Sequence, residues 1–496
     1  MAETSGRQEK CIFPISRLPG KLLLVIFQAV VDDTYSLDNK LGLDYVTLAG
    51  VCRAWRSLVL STTRFWTRLH ILIGQRPGAF FRKHLERCVK RSANELVDVV
   101  LYVARPRQYN PSVNSQAIMV RNQAKLCLEI LRECSYRWRS LRIIKEESHN
   151  TDLFNFVLSE LGLPHAPALK MVEIICHNRQ LVTFVKKSFQ FLSSTYTPSL
   201  KTLTLEGCDP SILDWHFDAS SLTHLSLSKC SYIPNSLAIL RNLLSSARNL
   251  VSLELHQRVV GHAEMDDILC PVTLPILQTL SIMMGTEKPA YLSNILRTIA
   301  APELHNLAVY GDSLASWKED DLPDFSSPAL FLRQDQTPKF PSVRKLTMKN
   351  ILQSISGPGK SICSIFTAFP HVTEVVLDHD VREIAEQLAL GSYDKKALPL
   401  WTCLRQLTIE MAPMTKFYYL PQLSEWLRLR RMRGQSLPVV VIRYELQRTE
   451  VMGDARDLTA IRRIVNDVTG YRASDRREVV KQLGKLGALV DLRVES

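Results

Sequence analysis

The sequence predicts an α/β chain: a short cluster of helices followed by an irregular array of strand–helix units. Three observations predict it. A short apolar pattern with strand periodicity recurs eight times between Leu200 and Ile409. The intervals between copies carry apolar residues at helical spacing, and the segment from Ile15 to Leu72 has helical periodicity interrupted by Pro, Gly and Ser/Thr punctuation. With 496 residues, 46% hydrophobic and 22% charged, the chain has the composition of a globular protein that buries a large core. Its 62 Lys and Arg against 49 Asp and Glu leave a net charge of +13, which is dilute over this length and lacks the clustering that nucleic-acid binding needs.

The helical cluster reads in order. Leu18-Pro19-Gly20 is a breaker, with proline favourable beside a first helical turn, so a helix starts near Lys21. Leu23, Phe27, Val30 and Val31 fall on one face of it. Asp32 to Asp44 is a polar loop ending in a candidate N-cap. A second helix carries Leu48, Val51, Cys52, Trp55, Leu58 and Val59 as its apolar stripe, with Arg53 and Arg56 off it. After Ser61-Thr62-Thr63, residues Phe65, Trp66 and Leu69 form a third apolar turn.

The order Leu18-Pro19, Leu22-Leu23, Ile26-Phe27, Leu48, Val51-Cys52, Trp55-Arg56 and Phe65-Trp66 resembles the F-box. The match departs from the family at Lys21, where an acidic residue is usual, and in the length of the Asp32 to Asp44 loop. The resemblance implies docking onto a Skp-type adaptor and, through it, onto the cullin scaffold of an SCF ubiquitin ligase. It places adaptor contact on Leu18, Pro19, Ile26, Phe27, Val51, Cys52 and Trp55. The physical side of the expectation is independent of the family. Three short helices cannot enclose this many Leu, Ile, Phe and Trp side chains alone, so a partner or the next domain must cover some of them.

The recurring pattern is apolar-x-x-apolar-x-apolar: Leu200, Leu203 and Leu205, then the copies starting at Leu222, Leu250, Leu277, Leu304, Val343, Val372 and Leu404. The starts are 22, 28, 27, 27, 39, 29 and 32 residues apart. Weaker copies lie at Leu141 to Ile143 and Leu169 to Ile174. Helical stripes fill the intervals, as in Leu292, Ile295, Leu296, Ile299 and in Ile362, Ile365, Phe366, Phe369. The pattern resembles a degenerate leucine-rich repeat solenoid, with Cys208 and Cys230 three residues after the strand in two copies. One such unit cannot cover its own apolar face, and stacking buries a continuous core.

The expected organisation is therefore an α/β chain with a three-helix F-box over residues 13–72, a helix–strand lead-in over 73–140, a degenerate repeat array over 141–450 and a C-terminal helical cap over 451–496. In the lead-in, Phe81, Leu85, Cys88 and Val89 predict a helix, Val97 to Val103 a strand, and Cys127 to Cys134 another helix. Pro438 to Tyr444 is a β-branched run, and two amphipathic helices are expected around Gly470.

Other features are weighed against simpler readings. Ser354 to Ser361 imitates the phosphate-cradling G-x-x-x-x-G-K-S loop, but its first glycine is a serine and Pro358 removes a backbone donor, so it reads as a repeat connection. Glu319, Asp320, Asp321 and Asp324 read as a solvated acidic loop, and Arg428, Arg430, Arg431 and Arg433 as a solvated helix face. No H-E-x-x-H, zinc-spaced cysteine pair or nucleophile motif is present, so no catalytic residue, metal or cofactor is expected. The longest apolar run, Leu22 to Val31, falls short of the roughly 18 residues of a membrane span. With a polar start and eleven cysteines lacking any C-x-x-C pair, a reduced cytoplasmic or nuclear protein is expected. The function these readings point to is a non-catalytic substrate receptor that holds an unidentified protein target on its repeats. A second reading makes the chain a repeat scaffold for protein–protein interaction with no ligase role.

Overall fold

The structure is a computed structural model. It describes residues 15, 18–33, 44–74, 78–104, 114–145, 151–162, 164–176, 192–208, 218–229, 236–256, 271–284, 290–311, 331–333, 337–349, 368–378, 401–411, 420–445 and 490–495. The chain divides into two compact units, Met1–Leu200 and Lys201–Ser496.

In the first unit, α1 (Gly20–Asp33), α2 (Asp44–Val51) and α3 (Arg53–Ser61) precede a 3-10 turn at Thr63–Trp66. Strands and helices then alternate: β1 (Arg68–Ile73), α4 (Gly78–Arg91), β2 (Val97–Val103), α5 (Asn114–Glu133), β3 (Trp138–Lys145), α6 (Thr151–Leu161) and β4 (Met171–Cys176). The four strands pair in parallel in chain order. Their register lines up two buried rows, Leu69, Val99, Leu141, Val172 and Ile71, Leu101, Ile143, Ile174. Each helix crosses over between neighbouring strands, as parallel pairing requires.

Two local differences from the periodicity arise in the N-terminal helices. The expected second helix is two, because Cys52 leaves helical backbone (φ −155, ψ 170) and its Sγ accepts the Trp55 N–H at 3.4 Å as the N-cap of α3. The expected third apolar turn is the 3-10 turn, and Leu69 belongs to β1. The run Leu69 to Ile73 is rich in Leu and Ile, with Leu69, Ile71 and Ile73 buried on one side of the strand and Leu72 buried beside half-buried His70 on the other, a short apolar pattern that periodicity does not separate from a helix turn. Gly74 ends β1 at φ +105, where a Cβ would lie 2.1 Å from the Ala104 carbonyl oxygen, so only glycine fits.

The second unit carries β5 (Thr202–Glu206), β6 (His224–Ser228), α7 (Ser236–Ser246), β7 (Ser252–His256), β8 (Val272–Thr273), β9 (Thr279–Met283), α8 (Ala290–Thr298), β10 (Ile299–Ala300), β11 (Asn306–Tyr310), β12 (Lys345–Lys349), β13 (Glu374–Leu377), β14 (Gln406–Met411), α9 (Leu420–Met432), β15 (Val439–Glu445) and β16 (Val490–Glu495). Apart from the small β8–β10 pair, these strands form one parallel sheet in chain order. The expected strand–helix repeat is what forms. The last two apolar positions of every copy stack in register from β5 to β14, starting Leu203, Leu225, Leu253 and Leu205, Leu227, Leu255, and each is nearly fully buried.

The unequal spacings leave this register untouched for a backbone reason. In each copy, the carbonyl of the residue after the first apolar position accepts two N–H groups from the next copy. Lys201 takes Thr223 and His224, Thr223 takes Val251 and Ser252, and the ladder continues through Val251, Gln278, His305, Arg344 and Thr373. Insertions enter elsewhere and leave the rungs in place. Ile299, expected on a helical stripe, instead begins β10, while Leu292, Ile295 and Leu296 line the buried face of α8. At the C-terminal end, Val490–Glu495 forms a strand on β15, which corrects the helical expectation for those residues. Its Val490, Leu492, Val494 alternation has the period of a strand. The helices expected around Gly470 lie outside the described residues.

Candidate functional site

The N-terminal helices present the clearest candidate surface. The Pro19 carbonyl accepts the Leu22 and Leu23 N–H groups at 2.9 and 3.1 Å and starts α1. That helix is apolar on two faces. Leu23, Phe27 and Val31 point into the unit and are buried, whereas Leu22, Val25, Ile26 and Val30 are 52%, 67%, 40% and 41% exposed. A helix apolar all round belongs in a covered environment. On α2, which contacts α1 and α3, Val46 and Val51 are 49% and 60% exposed.

The predicted contact residues separate by burial. Pro19, Ile26, Val51 and Cys52 are exposed, and Leu18 and Trp55 are half-buried. Phe27 is 1% exposed, with its ring 4.4 Å from Trp55 and 6.5 Å from Phe65 between centroids. It is a core residue that holds α1 on α3. Val30, expected on the inner face, is on the outer one. Leu22, Val25 and Val30 on α1 and Val46 on α2 are further exposed apolar residues, and for the three on α1 the signal was a run from Leu22 to Val31 whose one polar residue is Gln28.

A second aromatic cluster fastens these helices to α4. Tyr45 lies 4.7 Å from Trp66, whose Nε1 donates to the Val59 carbonyl at 3.0 Å, and the Arg91 guanidinium sits 4.4 Å over the Trp66 ring. The Tyr45 hydroxyl and His84 Nε2 are hydrogen-bonded at 2.7 Å, with Cys88 Sγ within 3.7 Å of both. Burial, then Arg87 and Arg91, hold the His84 imidazole below its ordinary value of 6.5. The unfolded chain therefore binds a proton that the folded one lacks just below pH 6.5, so stability is full above about pH 7 and falls as the medium is acidified. Urea melts at pH 7.5 and 5.5 should show that drop, and His84→Gln should reduce it. His256 in the second unit is shifted the same way by burial and contributes with the same sign.

The outward face of the second unit's sheet is built from the alternate strand positions, about half of them Ser, Thr, Asn and Gln, with dispersed charges and a few apolar side chains. The basic cluster on α9 is not one solvated face. Arg428 pairs with Glu425 at 2.6 Å, and Arg431 and Arg433 are exposed, but Arg430 is 1% exposed. Ser354 to Ser361 and the acidic group Glu319 to Asp324 lie outside the described residues. Among the described residues no cluster of His, Cys, Asp and Glu is arranged to hold a metal ion, and no helix is long and apolar enough to cross a membrane.

Residues 15–72 match the F-box-like family model. No curated protein matches the chain. Among solved structures, the yeast Rad7–Elc1 complex is similar over 80% of this chain and 91% of that one, with 14% identity and a TM-score of 0.36. The leucine-rich repeat-containing protein LegL7 from Legionella pneumophila is similar over 74% of this chain and 98% of its own, with 14% identity and a TM-score of 0.30. The chain thus carries an F-box-like segment ahead of parallel strand–helix repeats.

Proposed function

We propose that the chain is a substrate receptor of an SCF-type ubiquitin ligase. The carrying observation is the uncovered apolar outer face of α1 and α2 within the segment that matches the F-box-like family. Leu18, Pro19, Ile26, Val51 and Cys52, joined by Leu22 and Val30, make contact with a Skp-type adaptor, which connects the chain to a cullin scaffold. Half-buried Trp55 lies against Phe27, which supports the surface from beneath. The repeats hold a protein target in the cytoplasm or nucleus. The chain performs no chemistry and acts by raising the effective concentration of target lysines near the conjugating enzyme.

The double substitution Leu18→Ala with Pro19→Ala tests this. Co-purification with the adaptor should be lost while the circular dichroism spectrum stays unchanged. Undiminished co-purification would reject adaptor docking through this face and leave the chain a repeat scaffold outside the ligase.

A further inference from the structure

The outward residues of the second unit's sheet form in-register rows. From β5 to β11 the middle row is Thr204, Ser226, Glu254, Ser281 and Ala308, and the row beside it is Glu206, Ser228, His256, Met283 and Tyr310. Over β12 to β14 the chain covers its own rows. Lys345 pairs with Glu374 at 3.9 Å, Lys349 pairs with Glu410, and Thr347 and Thr408 are buried. The open stretch is therefore β5 to β11.

Its charges are not equivalent. Glu206 is neutralised by Lys229 at 2.6 Å. His256 sits 3.4 Å from the Ser281 hydroxyl, and its burial favours the neutral ring. Glu254, half-buried between Ser226 and Ser281, makes no ion pair among the described residues. It leaves a negative centre in a lane otherwise floored by small side chains. Met283 on the next strand and Tyr310 two strands along offer an apolar and aromatic edge of the kind that anchors interfaces, with the Lys349 ammonium 6.0 Å from the Tyr310 ring centroid. Two strand spacings, from Glu254 to the strand of Tyr310, are about 10 Å, one three-residue turn of polyproline II chain, in which side chains i and i+3 share a face.

We propose that the β5 to β11 face binds an unphosphorylated protein segment in the extended polyproline II conformation, with a Lys or Arg against Glu254 and an apolar side chain three residues away against Tyr310 and its neighbour Met283. This deepens, and rests on, the reading of the repeats as the target-holding surface. Charge complementarity selects the basic residue, and the lane hydroxyls serve the segment's backbone groups. The same carboxylate repels acidic and phosphorylated segments.

The test is selection of displayed random peptides of about twelve residues, enough to cross the five strands, on the full chain, followed by anisotropy with the enriched peptide. Enrichment of a basic-x-x-apolar spacing is expected, with about tenfold weaker binding to Glu254→Gln and a switch toward acidic peptides on Glu254→Lys. Ser281→Arg, which fills the lane, should abolish binding, so the result does not depend on Glu254 alone. Melting temperature checks that each variant is folded. Enrichment of acidic or phosphorylated peptides, no enrichment at all, or equal binding by folded Glu254→Gln and Ser281→Arg would each overturn the proposal. Ile26→Asp should bind the peptide like the unaltered chain, so failure of adaptor docking and failure of this site are read separately.

Discussion

Ile26→Asp is expected to abolish adaptor co-purification while leaving the fold intact, and Phe27→Ala, one residue on, is expected to damage the fold. Ile26 is 40% exposed, so the aspartate stays in water in the free chain and costs little more than its helix propensity, about 0.6 kcal/mol. In the docked state the same carboxylate meets an apolar surface without a partner. That cost of several kcal/mol weakens binding by a factor of roughly a hundred or more. Phe27 is 1% exposed and wedged between Trp55 and Phe65. Its truncation removes a buried ring and leaves a cavity, a loss of about 3–5 kcal/mol. Urea melts of the two variants, set beside pull-down with the adaptor, should give opposite patterns. Comparable stability losses would mean that the two faces of α1 are not distinct.

The second large effect concerns Arg430. Its guanidinium donates to the carbonyls of Trp401 at 2.9 Å, Ser436 at 2.9 Å and Thr402 at 3.3 Å, and stands 5.2 Å over the Trp426 ring. Burial pulls its pKa down to about 10, still far enough above neutrality to keep it charged. It ties the end of α9 to two neighbouring loops. The helix itself stops by a glycine signal: Gly434 takes φ +69, Gln435 N–H donates to the Arg430 carbonyl and Gly434 N–H to that of Arg431. Arg430→Ala should cost about 3–5 kcal/mol, since several buried carbonyls lose a charged donor and a cavity opens. Arg430→Met keeps most of the volume and none of the donors, so it should remain nearly as damaging. Arg431→Ala and Arg433→Ala, at exposed positions, should stay within about 0.5 kcal/mol. Urea denaturation of the full chain checks the series, and a mild Arg430→Met would show that volume matters more than the hydrogen bonds.

These cases show what was legible in the residues. The repeat was, because apolar-x-x-apolar-x-apolar is a local signal that survives unequal insertions when the rungs between copies are backbone bonds. The apolar order from Leu18 to Trp66 was legible too, and with it the expectation that something outside three short helices must cover part of it. Burial was less accessible. Arg430 is chemically like its neighbours in the cluster, and nothing at i±3 or i±4 foretells that the carbonyls of Trp401 and Thr402, nearly thirty residues back, converge on it. Leu69 passed for part of a helical turn because it falls at helical spacing from Phe65 and Trp66, and only pairing with β2 shows that it belongs to a strand.

The deepest division runs through α1. Periodicity established that Lys21 to Val31 is helical and mostly apolar, and it placed Leu23, Phe27, Val30 and Val31 on one face. Which side faces inward was set by long-range contacts, the rings of Trp55 and Phe65 closing on Phe27, and these leave Leu22, Ile26 and Val30 to the outside. The same holds for the sheet. Strand pattern told that Glu254, Ser281 and Ala308 alternate with buried apolar residues, but only parallel pairing in register sets them side by side as one surface. Local sequence carries the period of an element. Its partners come from contacts between residues far apart in the chain, and they decide which of its faces meets solvent.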